Sequence, residues 1–120
     1  MEIFHQWGFG NDKVQAERLK QLVLSESKKA TTGLFHKGET LPIVGEYAAI
    51  LDSTDQRFCI IQYTKVEVKD FLDVAYDFIQ KEGEGDDDIE EWRQKHREFF
   101  NLTSDMVKVV CEEFKLVKIL

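Results

Sequence analysis

The chain has 120 residues, 42% of them hydrophobic and 12% aromatic, and a formal net charge of −7. That length suits one domain, residues 1–120, able to bury roughly two-thirds of its unfolded surface, and the composition excludes long disorder. The acidic balance argues against a protein that grips long nucleic acid by neutralising phosphates, while leaving room for a local basic cleft.

No apolar run approaches the roughly 20 residues that span a bilayer. The opening stretch Met1-Glu2-Ile3-Phe4-His5-Gln6-Trp7 lacks the basic-then-apolar pattern of a signal peptide, so a cytoplasmic location in a bacterium or archaeon is expected. Residues 12–25 read as a helix, with Val14, Leu19, Leu22 and Val23 near one stripe and Asn11 available as its cap. Residues 31–35 could begin a strand, and residues 36–45 form a polar loop ending at Pro42 and Gly45. Residues 46–52 and 57–68 are the clearest strands, rich in β-branched and aromatic side chains and joined by Ser53-Thr54-Asp55-Gln56 as a hairpin. Residues 70–81 look helical, with Phe71, Val74, Ala75 and Phe78 on one face, and Gly83 and Gly85 end that helix. Asp86–Asp88 offer caps for a following helix running to about Phe100, with a stripe of Ile89, Trp92, Arg93, His96, Phe99 and Phe100. Residues 107–119 close the chain as one long strand or two short ones. This order suggests an α+β domain whose sheet curls on itself with helices outside.

Cys59 and Cys111 each sit in an apolar, strand-like run, without a Cys-x-x-Cys or Cys/His cluster. Two reduced core thiols and no metal are expected. Four segments could carry chemistry. In Lys28-Lys29-Ala30-Thr31-Thr32-Gly33, a lysine at a helix C-terminus is favoured by the helix dipole alone. The same turn could aim Lys28 and Thr31 into a cleft as base and nucleophile. In Glu82-Gly83-Glu84-Gly85-Asp86, the glycines permit positive φ and could bring a carboxylate to a ligand or to Lys28; the plain alternative is a solvated acidic turn. Gly8-Phe9-Gly10-Asn11 could offer an aromatic face to a base, or simply join a loop to a helix. In Trp92-Arg93-x-x-His96, Trp92 and His96 suit packing, whereas Arg93 could hold Glu82, Glu84 or a phosphate. Phe58, Phe71, Phe78, Phe99 and Phe100 need no explanation beyond packing.

Taken in order, these segments resemble the ASCH domain family, in particular its small stand-alone bacterial members. The likeness also takes in Leu22-Val23-Leu24-Ser25, Leu41-Pro42-Ile43-Val44-Gly45-Glu46-Tyr47, Thr64-Lys65-Val66-Glu67-Val68 and Asp105-Met106-x-x-Val109-Val110-Cys111-Glu112-x-Phe114. The resemblance implies a PUA-like mixed β-barrel with flanking helices and a cleft facing RNA or a modified base. Some ASCH proteins are amidohydrolases that remove acetyl from N4-acetylcytidine, and ribonuclease activity also occurs in the family. Carried over by motif, the catalytic set is Lys28, Thr31 and Glu84, with Glu82 the second choice for the glutamate. The family's usual Gly-Lys-Lys-Thr-Ala-Thr is here Glu26-Ser27-Lys28-Lys29-Ala30-Thr31, with Glu26 in place of the glycine and Lys29 in place of the middle threonine.

Three functions follow as expectations. The first is a hydrolase without cofactor or metal, acting on an acylated nucleoside. Phe9, Lys29, Thr32 and Arg93 would contact its substrate. The second is a non-catalytic module that binds RNA or a modified base, with Lys28, Lys29 and Arg93 on phosphate and Phe9 stacking. The third is a ribonuclease using the same cleft.

Overall fold

A computed structural model describes every residue from Met1 to Leu120 except Asn11 and Asp87. The elements are β1 (Ile3–Gly8), α1 (Lys13–Leu24), β2 (Ala30–Leu34), β3 (Tyr47–Leu51), β4 (Arg57–Asp70), α2 (Tyr76–Glu82), α3 (Ile89–Phe100) and β5 (Lys108–Ile119), with a single 3-10 turn at Phe71–Asp73. The strands form one mixed sheet in the order β1-β3-β4-β5-β2. β1 runs parallel to β3, and the other pairings are antiparallel. The α+β class is as expected. The barrel is not closed by strand pairing among the described residues, because β1 and β2 end the order and no ladder joins them.

The β3–β4 hairpin and the single long β5 form where β-branched and aromatic residues are frequent. β4 and β5 pair along most of their length, from Cys59 opposite Ile119 to Asp70 opposite Lys108. β1 is not evident from its residues. Its burial alternates with period two, but Phe4 lies on the outward face and His5 on the inward one, so hydrophobicity does not alternate with it.

Two apolar clusters hold the sheet. One gathers Val23, Ala48, Ile50, Phe58, Cys59, Ile61, Tyr63 and Phe114. The other gathers Ala30, Phe71, Val74, Phe78, Ile79, Trp92, Val109 and Cys111 beneath α2 and α3. Alternate residues of β5 serve the two, Phe114 in the first and Val109 and Cys111 in the second. Both cysteines are free and buried, and burial pushes their thiols up to about 11 for Cys59 and about 12 for Cys111.

Three helix details differ from the sequence pattern. α1 buries Ala16, Leu19 and Val23, spaced three and four apart, while Val14 lies outside the stripe and is exposed. Its cap is Asp12, whose carboxylate accepts from the Gln15 amide at 3.0 Å; Asn11 lies outside the described residues. The expected helix over 70–81 is broken at Val74 and Ala75, both extended, so Phe71 and Val74 are buried ahead of α2 and Ala75 is exposed. Asp88 caps α3 by accepting from the Glu91 amide at 2.7 Å, and Asp87 lies outside the described residues. No helix among the described residues is long and apolar enough to cross a membrane.

Candidate active site

A cleft of about 680 Å³ opens between the two outermost strands. This is within the size range of small-molecule sites. The end of β1 supplies Trp7, Gly8, Phe9 and Gly10; the entry to β2 supplies Lys28, Thr31 and Thr32; α2 and the turn after it supply Glu82, Glu84 and Asp86; α3 supplies Lys95, His96, Glu98 and Phe99.

The turn between α1 and β2 is fixed by main-chain bonds. The Lys28 amide donates to the Leu22 carbonyl at 3.0 Å, and the Lys29 amide donates to the Lys81 carbonyl at 2.7 Å. Its first residue, Glu26, has φ 64°, a left-handed conformation that costs a non-glycine residue about 1 kcal/mol or more. The turn keeps a shape suited to glycine even with glutamate in it.

The acidic segment meets this turn at Gly83. Gly83 ends α2 at φ 67°, and a Cβ placed there would lie 2.0 Å from the Ser27 carbonyl oxygen. Only a residue without a side chain lets the two main chains approach so closely. The approach places the Lys28 ammonium 2.8 Å from the Glu84 carboxylate and 3.4 Å from the Glu82 carbonyl oxygen. Lys28 is 2% exposed, whereas the Glu84 side chain is partly open to the cleft. Arg18 of α1 steadies Glu84 from behind by donating to its carbonyl at 2.7 Å. Phe9 covers the ammonium, with its ring centroid 5.9 Å from Nζ, and meets Trp7 edge to face at 5.4 Å.

Glu82 is the other buried polar centre, only 1% exposed. Thr32 Oγ1 donates to its Oε2 at 2.6 Å, Trp92 Nε1 donates to its Oε1 at 3.1 Å, and His96 Nε2 lies 3.5 Å from Oε1. Burial alone would push this carboxyl up. The His96 bond, the Lys28 charge and the Thr32 hydroxyl outweigh it and hold Glu82 below the usual glutamate range. Burial likewise works against a charged His96, but its contact with Glu82 leaves the imidazole above its ordinary value. His96 stacks on Trp92 with centroids 4.1 Å apart.

The expected site residues thus divide. Lys28, Thr31, Thr32, Phe9 and Glu84 meet at one cleft, and Lys28 pairs with Glu84 rather than with the Glu82 carboxylate. Thr31 lines the cleft, and its hydroxyl has no hydrogen-bond partner among the described residues. Lys29 does not reach the cleft. It is exposed, and its main chain is held by Lys81 and by the Phe114 amide. Arg93 is also elsewhere, because one residue along a helix turns it away from the Trp92 face. It donates to the Leu72 carbonyl at 2.9 Å and lies 3.6 Å from Glu90. Neither Lys29 nor Arg93 is placed to contact a ligand in this cleft.

Other cleft residues were not singled out by sequence. Trp7 belongs to the unrecognised strand β1, and its indole donates to the Tyr63 hydroxyl at 2.9 Å. Phe99 is 71% exposed at the cleft, so it is not a packing residue. The Asp86 carboxylate is enclosed at the rim, 2.7 Å from the Lys95 ammonium. The stripe on α3 was a usable signal for His96 and Phe99, since the face carrying Trp92 continues through both. Among the described residues, no group of three or more histidine, cysteine, aspartate or glutamate side chains is arranged to hold a metal ion.

The sequence matches the model of the ASCH domain over residues 5–118. Its structure is similar to that of an Enterococcus faecalis protein of the DUF984 family, with 32% identity and a TM-score of 0.85 over 100% of this chain and 84% of that one. It is similar also to an ASCH domain from Lactobacillus crispatus, with 28% identity and a TM-score of 0.84 over 97% of this chain and 82% of that one. An ASCH protein of Zymomonas mobilis is 12% identical, with a TM-score of 0.58 over 82% of this chain and 63% of that one, a likeness of fold alone. No match to a curated protein reaches significance.

Proposed function

The chain belongs to the ASCH domain family, and from that premise we propose that its cleft is the active site of a metal-independent amidohydrolase acting on a small acylated nucleoside of the N4-acetylcytidine kind. One observation carries this. A buried lysine is paired at 2.8 Å with a carboxylate that faces the same cleft as an unengaged threonine hydroxyl.

Proton transfer from Lys28 to Glu84 leaves a neutral amine beside the cleft. That amine takes the hydroxyl proton of Thr31 as Oγ1 attacks the acyl carbon. The carbonyl π pair moves onto oxygen, where main-chain N–H groups near Thr31–Gly33 can stabilise it. As the carbonyl re-forms, the C–N bond breaks and the leaving amine takes the proton held by Glu84. Water then attacks the Thr31 ester. The Glu84 carboxylate takes one proton of that water, Lys28, now protonated, returns a proton to the Thr31 oxygen as the acid is released, and proton transfer from Glu84 back to Lys28 restores the ion pair. Phe9, after β1, and Phe99, on α3, provide aromatic surface in the cleft for a flat base.

The charge in the cleft also favours a small uncharged ligand. Lys28 and Lys95 face Glu82, Glu84, Asp86 and Glu98, so the lining is net acidic even with His96 protonated. A polyanionic RNA backbone gains little there, and Lys29 and Arg93, the cations expected to hold phosphate, lie outside the cleft.

The test is incubation of purified protein and of its Lys28→Ala variant with N4-acetylcytidine, following cytidine release by chromatography. Release by the wild type alone supports the assignment. Equal release by both removes Lys28 from the mechanism, and release by neither removes this substrate.

A further inference from the structure

The hydrogen bonds around Glu82 fix which atoms can donate to a ligand. An indole N–H only donates, and a main-chain carbonyl only accepts. His96 Nδ1 lies 2.9 Å from the Trp92 carbonyl oxygen, so Nδ1 carries a proton and donates it there. Nε2 faces the Glu82 carboxylate, and a bare lone pair in that position would be repelled. Once protonated, the second ring nitrogen turns its N–H toward Glu82, which then faces Trp92, His96 and Thr32 as donors.

A hydroxyl has one proton. That of Thr32 is committed to Glu82 at 2.6 Å, the short range of a hydroxyl bonded to a carboxylate. Toward the cleft, which Thr32 lines, the oxygen keeps only its lone pairs. We propose that Thr32 is a specificity-determining residue that accepts a hydrogen bond from an N–H of the ligand, its polarity set by Glu82 and His96 as positioning residues.

The ligand class that follows is the secondary amide, in which an N–H adjoins the acyl carbonyl. Tertiary amides and esters offer an acceptor or an alkyl group where Thr32 needs a donor, and are rejected. This selectivity rests on the amide-cleaving function proposed above, but concerns binding alone. Thr31 remains free for attack while its neighbour orients the bond to be cut.

N-methylacetamide, which has one N–H, and N,N-dimethylacetamide, which has none, are the probes. Each is titrated into the full-length protein while the main-chain amide signals of Lys28 and Thr32 are followed by NMR. The expected result is saturable shifts with N-methylacetamide at about tenfold tighter binding than with the dimethyl compound, the scale of one buried hydrogen bond. Thr32→Val should bring the two together. In Glu82→Gln, the side-chain NH2 can donate to Thr32, freeing its hydroxyl, so the ratio should collapse while the fold persists. Equal binding of both probes, binding of neither, or a ratio unchanged in Thr32→Val overturns the assignment. Loss of cytidine release with the probe selectivity intact would count against the hydrolase alone.

Discussion

Lys28 and Glu84, 56 positions apart in sequence, form a 2.8 Å ion pair in which the lysine is almost wholly buried and the glutamate faces the cleft. The geometry depends on the contact of Gly83 with Ser27 and on the Arg18 bond to the Glu84 carbonyl. In the proposed mechanism, Lys28→Met keeps much of the stem volume and removes the proton acceptor. Its turnover of N4-acetylcytidine should fall at least ~100-fold. Rates within a few-fold of wild type would dismiss Lys28 as the base.

Gly83→Ala should be among the most damaging single changes. The added carbon would sit 2.0 Å from the Ser27 oxygen, at a φ of 67° that already disfavours a side chain. Main-chain displacement of this kind costs about 1–3 kcal/mol, with about 1 kcal/mol more from φ. Urea denaturation should show that loss, and the surviving folded protein should lose Lys28-dependent turnover. A stability within 0.5 kcal/mol of wild type, roughly the scatter of surface substitutions, would contradict the close approach.

Glu26→Gly should act in the other direction. Relief of the left-handed strain at φ 64° gains about 1–2 kcal/mol, and glycine's extra freedom in the unfolded chain takes back about 0.5–1 kcal/mol. A net gain of about 0.5–1 kcal/mol in urea unfolding is expected, with activity unchanged. A loss of stability would mean that the glutamate side chain contributes something its exposed position does not suggest.

The Glu82–His96 pair gives stability a pH signature. His96 is raised on folding, so its contribution is complete below its ordinary value of 6.5 and disappears as pH climbs through the higher folded value. Glu82 is lowered, so its contribution is present above 4.5 and disappears as pH falls through its folded value. The stability difference between wild type and His96→Gln should therefore be largest between about pH 4.5 and 6.5 and shrink on the alkaline side. Chemical denaturation at a series of pH values measures it. A difference that grew with alkalinity would have the wrong sign.

Phe99→Ala separates ligand contact from packing. With most of the ring exposed, its loss should change stability by no more than about 0.5 kcal/mol. If Phe99 stacks on a base, nucleoside affinity should weaken by the equivalent of about 1–3 kcal/mol. Unchanged affinity in a calorimetric titration would place the base elsewhere.

Much of this molecule is legible from residue order. The β3–β4 hairpin, β5 and α3 carry strong local patterns, whereas Lys28, Thr31 and Glu84 came together only through the resemblance to the ASCH family, because spacing alone does not show that their segments meet. β1 was hidden because its inward residues, Ile3, His5 and Trp7, are chemically mixed and Phe4 faces out. Lys29 and Arg93 misled because a charge beside a functional residue need not share its surroundings: Lys29 lies exposed in the turn before β2, and Arg93 turns to the Leu72 carbonyl. Glu82 could not be separated from Glu84 by spacing, since what separates them is enclosure by Thr32 of β2 and by Trp92 and His96 of α3. His96 looked structural from its stripe, and it does stack in the core, but its edge also reaches the cleft.

The turn that aims Lys28 is held by peptide groups: the Lys28 amide on Leu22, the Lys29 amide on Lys81, the Phe114 amide on the Lys29 carbonyl, and the bare α-carbon of Gly83 against Ser27. None of these contacts reads the identity of a side chain at 26, 27 or 29. Those three positions can therefore drift in charge and size while Lys28 stays aimed, and a lineage could retune the potential around its cleft through them without rebuilding it. The glutamate and lysine that interrupt the family's usual motif here leave those contacts in place, the glutamate at the cost of its left-handed φ, whereas a side chain at Gly83 strikes the Ser27 main chain directly.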